Sequence, residues 1–244
     1  MEILGAFDEV HTGLTLTDVA RRSGLPLSTT HRLVHELEDA GLLTRDSVGG
    51  FHIGLRLWEL GQLANSRLRE VAHPWLQELF DSTRENVQLG VRDGFEVLYL
   101  DKVYGRRAVP IISRVGGRLP MHTTGVGKAL LAFQPTWFLQ SYLARKLERP
   151  TPFAITEPGR LSRELAITRN RGWAITKEEM TLGSCSLAAP IRDAEGKVIA
   201  SIGVVLASRR AGELDGLVQP VLSTAAEVGR AYAASGDARH LVTT

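Results

Sequence analysis

TLTDVARRSGLPLSTTHRLVHELEDAGLL, residues Thr15–Leu43, contains two helix starts and two helix stops in close succession. Thr15-Leu-Thr-Asp18 is a capping-box-like start, in which the Thr15 hydroxyl accepts the Asp18 backbone N–H while the carboxylate reaches back. It predicts a short helix over Leu16–Ser23. Gly24 supplies the left-handed residue that ends such a helix, and Leu25-Pro26-Leu27 leads to a new N-cap at Ser28. From Ser28 to Ala40, Leu33, Val34, Leu37 and Ala40 fall on one helical face, with Thr29, Thr30, Arg32, His35, Glu36 and Asp39 opposite. Gly41 stops the helix. Leu42–Arg45, Asp46–Gly50 and Phe51–Ile53 then read as strand, tight turn, strand. Helix, turn, helix and β-ribbon make a winged helix-turn-helix.

Outward from this core, Met1–Glu9 has the apolar spacing of a first helix that begins abruptly, leaving room for residues upstream. Gly54–Asn65 is again helical, placed to connect two domains and apolar on more than one side, which suggests contact with a second subunit. An amphipathic helix around Leu68–Arg84 follows. The period then changes to that of strands at Val87–Val91, Phe95–Leu100 and Ala108–Val115. Helices are expected over Gly125–Phe133, Pro135–Leu147 and Pro158–Arg171, strands over Trp173–Lys177, Ser186–Ile191 and Lys197–Leu206, and a last helix over Leu214–Ala234. This pattern predicts an α+β protein. Its domains are a winged domain (1–53), a linker helix (54–66) and a C-terminal domain (67–244) with an antiparallel sheet and helices on one face.

The 244 residues carry a net charge of +2 and are 43% hydrophobic and 23% charged, as in a globular chain with a buried core. Charge is unevenly spread. Residues 1–65 hold five Arg and Lys against nine Asp and Glu, a net −4, and the remainder 24 against 18, a net +6. A DNA-binding assignment for the first segment therefore rests on pattern and on a few placed cations. No apolar run reaches the roughly 18 residues of a membrane span, and the N-terminus carries acids instead of a basic leader. The expectation is a cytoplasmic protein without a membrane partner.

In a helix-turn-helix the N-terminal residues of the second helix meet base edges in the major groove. Here these are Ser28, Thr29, Thr30, His31 and Arg32, with His35 one turn on. Arg32 can grip a guanine edge or a phosphate. Arg45 and the Gly49-Gly50 tip belong to the wing, and Arg21 and Arg22 end the preceding helix within reach of a phosphate.

Catalytic signatures fail on inspection. Gly125-Val-Gly-Lys128 lacks the spacing of a phosphate loop, and Ala129 stands where Ser or Thr should hold magnesium. Gly183-Ser-Cys-Ser lacks the glycine of a nucleophile elbow. The seven histidines are scattered, with no pair at metal-ligand spacing on a convincing helix, so neither a metal nor a cofactor is expected. The single cysteine, Cys185, reads as a small buried hydrophobe. The glycine-rich junction before Gly125 lets backbone N–H groups face an anion at a helix N-terminus, a setting for a small organic acid.

Thr15–Leu43 resembles the DNA-binding domain of IclR-type transcription regulators. The resemblance continues through Leu119-Pro-Met-His-Thr-Thr-Gly-Val-Gly-Lys-Ala-Leu-Leu-Ala132, Gly172-Trp-Ala-Ile-Thr-Lys-Glu-Glu179 and Gly183-Ser-Cys-Ser-Leu-Ala-Ala-Pro-Ile-Arg-Asp193. It implies a GAF-like C-terminal domain whose effector pocket is lined by Ile111, Leu119, Gly125 and Val126 on one side, and by Thr176, Ser184, Ser186, Gly203 and Val205 on the other. The chain departs from relatives at Leu27, where many carry a basic residue, and at Gly203 and Val205, where many that bind small acids carry polar groups. The implied partners are double-stranded operator DNA, a small-molecule effector and further copies of the chain, as a homodimer or dimer of dimers. Two alternatives are a constitutive DNA-binding oligomer without ligand and a small-molecule enzyme that retains a helical oligomerisation module.

Overall fold

A computed structural model of the chain describes residues 1–8, 10–63, 66–105 and 112–236. The chain divides into two units, Met1–Ser66 and Arg67–Thr244. In the first, a 3-10 turn at Leu4–Ala6 precedes β1 (Gly13–Leu14), α1 (Leu16–Ser23), α2 (Leu27–Asp39), β2 (Leu43–Arg45), β3 (Phe51–Ile53) and α3 (Leu55–Leu63). The Thr15 hydroxyl oxygen accepts the Asp18 N–H at 3.2 Å and donates its own proton to the Asp18 carboxylate at 2.6 Å. The carboxylate therefore reaches back to the cap side chain. Gly24 ends α1 at φ 70°.

Two expectations change here. The helix expected over Met1–Glu9 is only the 3-10 turn, with Glu9 outside the described residues. The Ala6 carbonyl is taken by Arg22 Nε at 2.6 Å, and the Asp8 carboxylate turns the chain by accepting the Val10 and His11 N–H groups. The cap of α2 is Pro26, with Ser28 already inside the helix. The Pro26 carbonyl accepts both the Thr30 N–H (2.9 Å) and the Thr30 hydroxyl (3.0 Å), closing the first turn two residues early. A third strand, β1, also joins the ribbon, in the order β1-β3-β2. Ile3, Leu14, Val19, Val34, Leu43 and Phe51 form the small core.

The second unit runs α4 (Ser66–Thr83), β4 (Asn86–Asp93), β5 (Glu96–Val103), β6 (Arg118–Pro120), α5 (Gly125–Leu131), α6 (Thr136–Leu143), α7 (Pro158–Arg171), β7 (Ala174–Lys177), β8 (Ser184–Arg192), β9 (Val198–Ala207) and α8 (Leu214–Ala234). Its strands form one antiparallel sheet in the order β6-β5-β4-β9-β8-β7. Of the strand expected over Ala108–Val115, residues 108–111 lie outside the described residues and 112–115 are not strand. The edge is β6 instead, reached through Gly116 (φ 80°) and Gly117, which exchange backbone hydrogen bonds with Tyr99. The helix expected to Leu147 stops at Leu143.

Helices cover both faces of the sheet, where one covered face was expected. Successive strand residues alternate in direction. Leu187, Ile191, Ile202 and Val204 thus join α4 and α8 in one apolar cluster. Val97, Tyr99 and Ala188 join α5, α6 and α7 in another. The second face is built from small side chains. A Cβ on Gly203 would stand 2.8 Å from the Ala188 Cβ, so the sheet meets Val126 of α5 at close range. Cys185 is fully buried on the first face, where burial raises its thiol pKa. No helix among the described residues is long and apolar enough to cross a membrane.

Candidate DNA-reading face and effector pocket

On α2, Ser28, His31 and Arg32 are exposed and Thr29 is half-buried. Thr30 is not with them. It is fully buried, its hydroxyl spent on Pro26, so it belongs to the core of the unit and is removed from the expected base-reading set. The reason is helical period: position 30 stands one turn before Val34, on the same core-facing stripe. Arg32 is exposed and bonded to Glu36 at 2.6 Å one turn on, a pair that DNA would have to part. Arg22 also drops out as a phosphate clamp, because its guanidinium is held by the Ala6 carbonyl and by Asp8, both at 2.6 Å. Arg21 remains exposed beside Asp18.

The wing is tied by one carboxylate. Asp46 accepts the Val48 and Gly50 N–H groups at 3.0 and 2.8 Å and meets His52 Nε2 at 2.8 Å. The His52 hydrogen bond, with those backbone donors, holds the Asp46 carboxyl below the usual carboxylate range. Arg45 is exposed, with its guanidinium 5.2 Å from the Phe51 ring centre. His35 lies edge-on to the same Phe51 ring at 6.2 Å and edge-on to His31 at 4.5 Å. His31 and His35 thus stand one turn apart on a well-formed helix, a pairing that the sequence reading did not pick out.

In the second unit, one pocket opens on the small-residue face of the sheet, with a cavity volume of about 40 Å³. Thr176 of β7, Ser184 and Ser186 of β8, and Gly203 and Val205 of β9 form its floor. Gly125 and Val126 at the start of α5 and Leu119 of β6 form a wall. Ile111, named with them from the sequence, lies outside the described residues. The pocket also takes in Gln88, Tyr99, Thr124 and Met180, which sequence reasoning missed. Gln88 had a legible signal, since strand alternation puts it on the same face as Gly90. Tyr99 and Met180 arrive only through tertiary packing.

Among the described residues, no charged side chain lines this pocket. Thr176 and Ser186 share a hydroxyl–hydroxyl hydrogen bond of 2.5 Å, and Gln88 Nε2 donates to the Ser113 hydroxyl at 2.7 Å. Thr124 caps α5, its hydroxyl accepting the Gly127 N–H. Burial holds the Tyr99 phenol well above its ordinary value, keeping it a neutral donor. Within a turn of Val126, the buried Lys128 ammonium meets Glu179 at 2.6 Å. Burial raises the Glu179 carboxyl and Lys128 pulls against that rise.

The family described as bacterial transcriptional regulator IclR C-terminal matches residues 61–230, and the IclR helix-turn-helix domain matches residues 1–47. The regulator KipR of Bacillus subtilis is 31% identical over 222 residues, covering 89% of each chain. The transcriptional repressor IclR of Escherichia coli is 32% identical over 210 residues, covering 84% of this chain and 77% of its own. A crystal structure of an IclR homolog from Microbacterium hydrocarbonoxydans, complexed with 4-hydroxybenzoate, superposes with a TM-score of 0.89 at 34% identity, over 96% of this chain and 97% of that one. With the winged unit, the six-stranded sheet and matches over both halves, the chain belongs to the IclR family of DNA-binding bacterial transcriptional regulators.

Proposed function

We propose that this regulator senses a small organic acid, most simply an aromatic one, in the pocket of its second unit. The observation that carries this is the gathering of Leu119, Gly125, Val126, Thr176, Ser184, Ser186, Gly203 and Val205 around one cavity. The similar homolog solved with 4-hydroxybenzoate supports the ligand class. Tyr99, Leu119, Val126 and Met180 offer a ring an apolar and polarisable wall. The hydroxyls of Thr176, Ser184 and Ser186 and the amide of Gln88 supply neutral partners for a carboxylate or phenol. A neutral site can take an anion where several donors converge on it.

Ser28, Thr29, His31 and Arg32 at the start of α2, with His35 beyond, would enter the major groove, and Arg45 with the Gly49-Gly50 tip would track the backbone. The acidic unit binds DNA weakly alone, so two copies are needed, and Leu55 and Trp58, exposed on one side of α3, suit contact with a second copy. Ligand then alters the spacing of the paired winged units, provided it binds one arrangement better than the other.

Thermal melts against a panel of hydroxybenzoates and aliphatic acids test this, because a specific ligand raises apparent stability by mass action. A shift for one class, with altered operator binding in the same buffer, is the expected result. Operator binding with no ligand response across the panel would instead favour a constitutive DNA-binding oligomer.

A further inference from the structure

His31 and His35 occupy neighbouring positions on one stripe of α2, their ring centres 4.5 Å apart. Two imidazoles on one tetrahedral zinc, with bonds of about 2.1 Å, place their ring centres about 5 Å apart. The ring separation is thus close to that of a chelating pair. A second observation bears on which nitrogen is presented. His35 Nδ1 lies 3.0 Å from the Glu38 carboxylate. An ionised carboxylate only accepts, so Nδ1 carries the proton and Nε2 of the neutral ring keeps its lone pair. A carboxylate behind the far nitrogen is the arrangement that orients metal-bound histidines and raises their basicity.

The surroundings suit a cation. Phe51, 2% exposed and fixed in the core, backs the His35 ring from β3. On α2 itself the recorded charged partners are Glu38, beside His35, and the Arg32–Glu36 pair, whose 2.6 Å contact offsets the Arg32 charge. From β2, Arg45 lies over the same Phe51 ring. His31 is exposed. Among the described residues no three His, Cys, Asp or Glu side chains gather round one point, so the protein supplies two ligands and water the others.

We propose that His31 and His35 form a two-histidine site for a borderline divalent cation such as zinc, nickel or copper on the exposed stripe of α2, and that its occupancy competes with operator DNA. Imidazole nitrogen selects these ions over magnesium or calcium. The competition rests on α2 being the groove-reading helix. The cation site does not, and the two are tested separately.

Full-length protein, freed of metal with a chelator, is titrated with zinc chloride and with nickel chloride against a chromophoric indicator, alongside His31→Gln, His35→Gln, Glu38→Gln and the control His73→Gln. Circular dichroism checks that each variant keeps its helices. One equivalent of zinc or nickel is expected to bind wild type and His73→Gln alike. Either glutamine in α2 should weaken that binding at least about tenfold, and Glu38→Gln, which removes the orienting carboxylate, by about tenfold or more. Affinity should fall on acidification, since ligating imidazoles must be deprotonated. Unchanged affinity in His31→Gln and His35→Gln, or no binding to folded wild type, overturns the site. In a gel-shift assay zinc should weaken operator binding by wild type, and about tenfold more zinc should be needed for the same effect on Glu38→Gln. Zinc binding that leaves wild-type operator affinity unmoved overturns the competition, while the operator affinity of Arg32→Ala in chelator reports separately on α2 as the reading helix.

Discussion

A Cβ added to Gly125 would stand 2.5 Å from the hydroxyl oxygen of Ser186, so the start of α5 and the middle of β8 approach as closely as a missing side chain permits. That contact closes one end of the pocket. Gly125→Ala is expected to destabilise the second unit by about 1–3 kcal/mol through overpacking and to weaken the melt response to a ligand. Ser186→Gly in the same chain should restore part of both, a coupling that a double-mutant cycle measures. Strict additivity of the two substitutions would contradict the contact.

Arg32→Ala should lower operator affinity by about 1–3 kcal/mol, roughly 5- to 150-fold, and reduce the salt slope by about one if the contact is to a phosphate. Arg22→Ala acts differently. It frees the Ala6 carbonyl and Asp8, so its effect should appear first in the melting of the winged unit. Fluorescence polarisation on operator DNA, read beside thermal melts, separates the two. An Arg32→Ala protein with wild-type affinity would remove α2 from the groove.

His122 is buried between Tyr142 and the Glu148 carbonyl. Burial first, and the Lys128 charge second, lower its pKa from 6.5. The folded chain therefore holds fewer protons here than the unfolded chain. The associated stability is complete above about 6.5 and is lost as pH falls through the lowered value. Tyr142 is the reverse case, pushed up to about 12 by burial. Its contribution is complete below its ordinary value of 10.0 and lost as pH rises through about 12. Tyr142→Phe strips the buried His122 N–H and Nδ1 of a partner and should cost about 1–3 kcal/mol. Melts across pH 5–8 and above 9 check both limbs, and a wild-type melting point level from pH 7 to 5 would contradict the first.

Lys128 is fully buried on Glu179. Lys128→Met leaves the Glu179 carboxylate buried without its counter-charge and should cost about 3–5 kcal/mol, whereas Lys128→Met with Glu179→Leu should cost far less. Denaturant unfolding of the three chains reads the difference. Equal losses in the single and double variants would show that the pair is not an energetic unit.

How much was legible in the sequence varies with the range of the interaction responsible. Thr15, Gly24, Gly41 and Gly172 act within a turn of themselves, through a side-chain cap or a left-handed φ, so α1 and the C-terminal ends of α2 and α7 were readable from the chain alone. Ser28 as a cap was a local inference that failed, because Thr30 back-bonds to Pro26 and draws the helix start to Leu27.

The stretch Thr15–Ile53 by itself determined that two helices and a ribbon follow one another and that the ribbon carries Arg45. Only the tertiary structure decided which side chains the winged unit exposes. It bound Arg22 to Ala6 and Asp8 and packed His35 edge-on to Phe51. In the second unit, the resemblance to the family, and not strand period, singled out Ser186 and Gly203 together. That both faces are covered, and that Tyr99 and Met180 close on the same cavity, follows from contacts between segments far apart in the chain. Local pattern sets element type and facing, while burial and pairing depend on which distant segment arrives to fill the space.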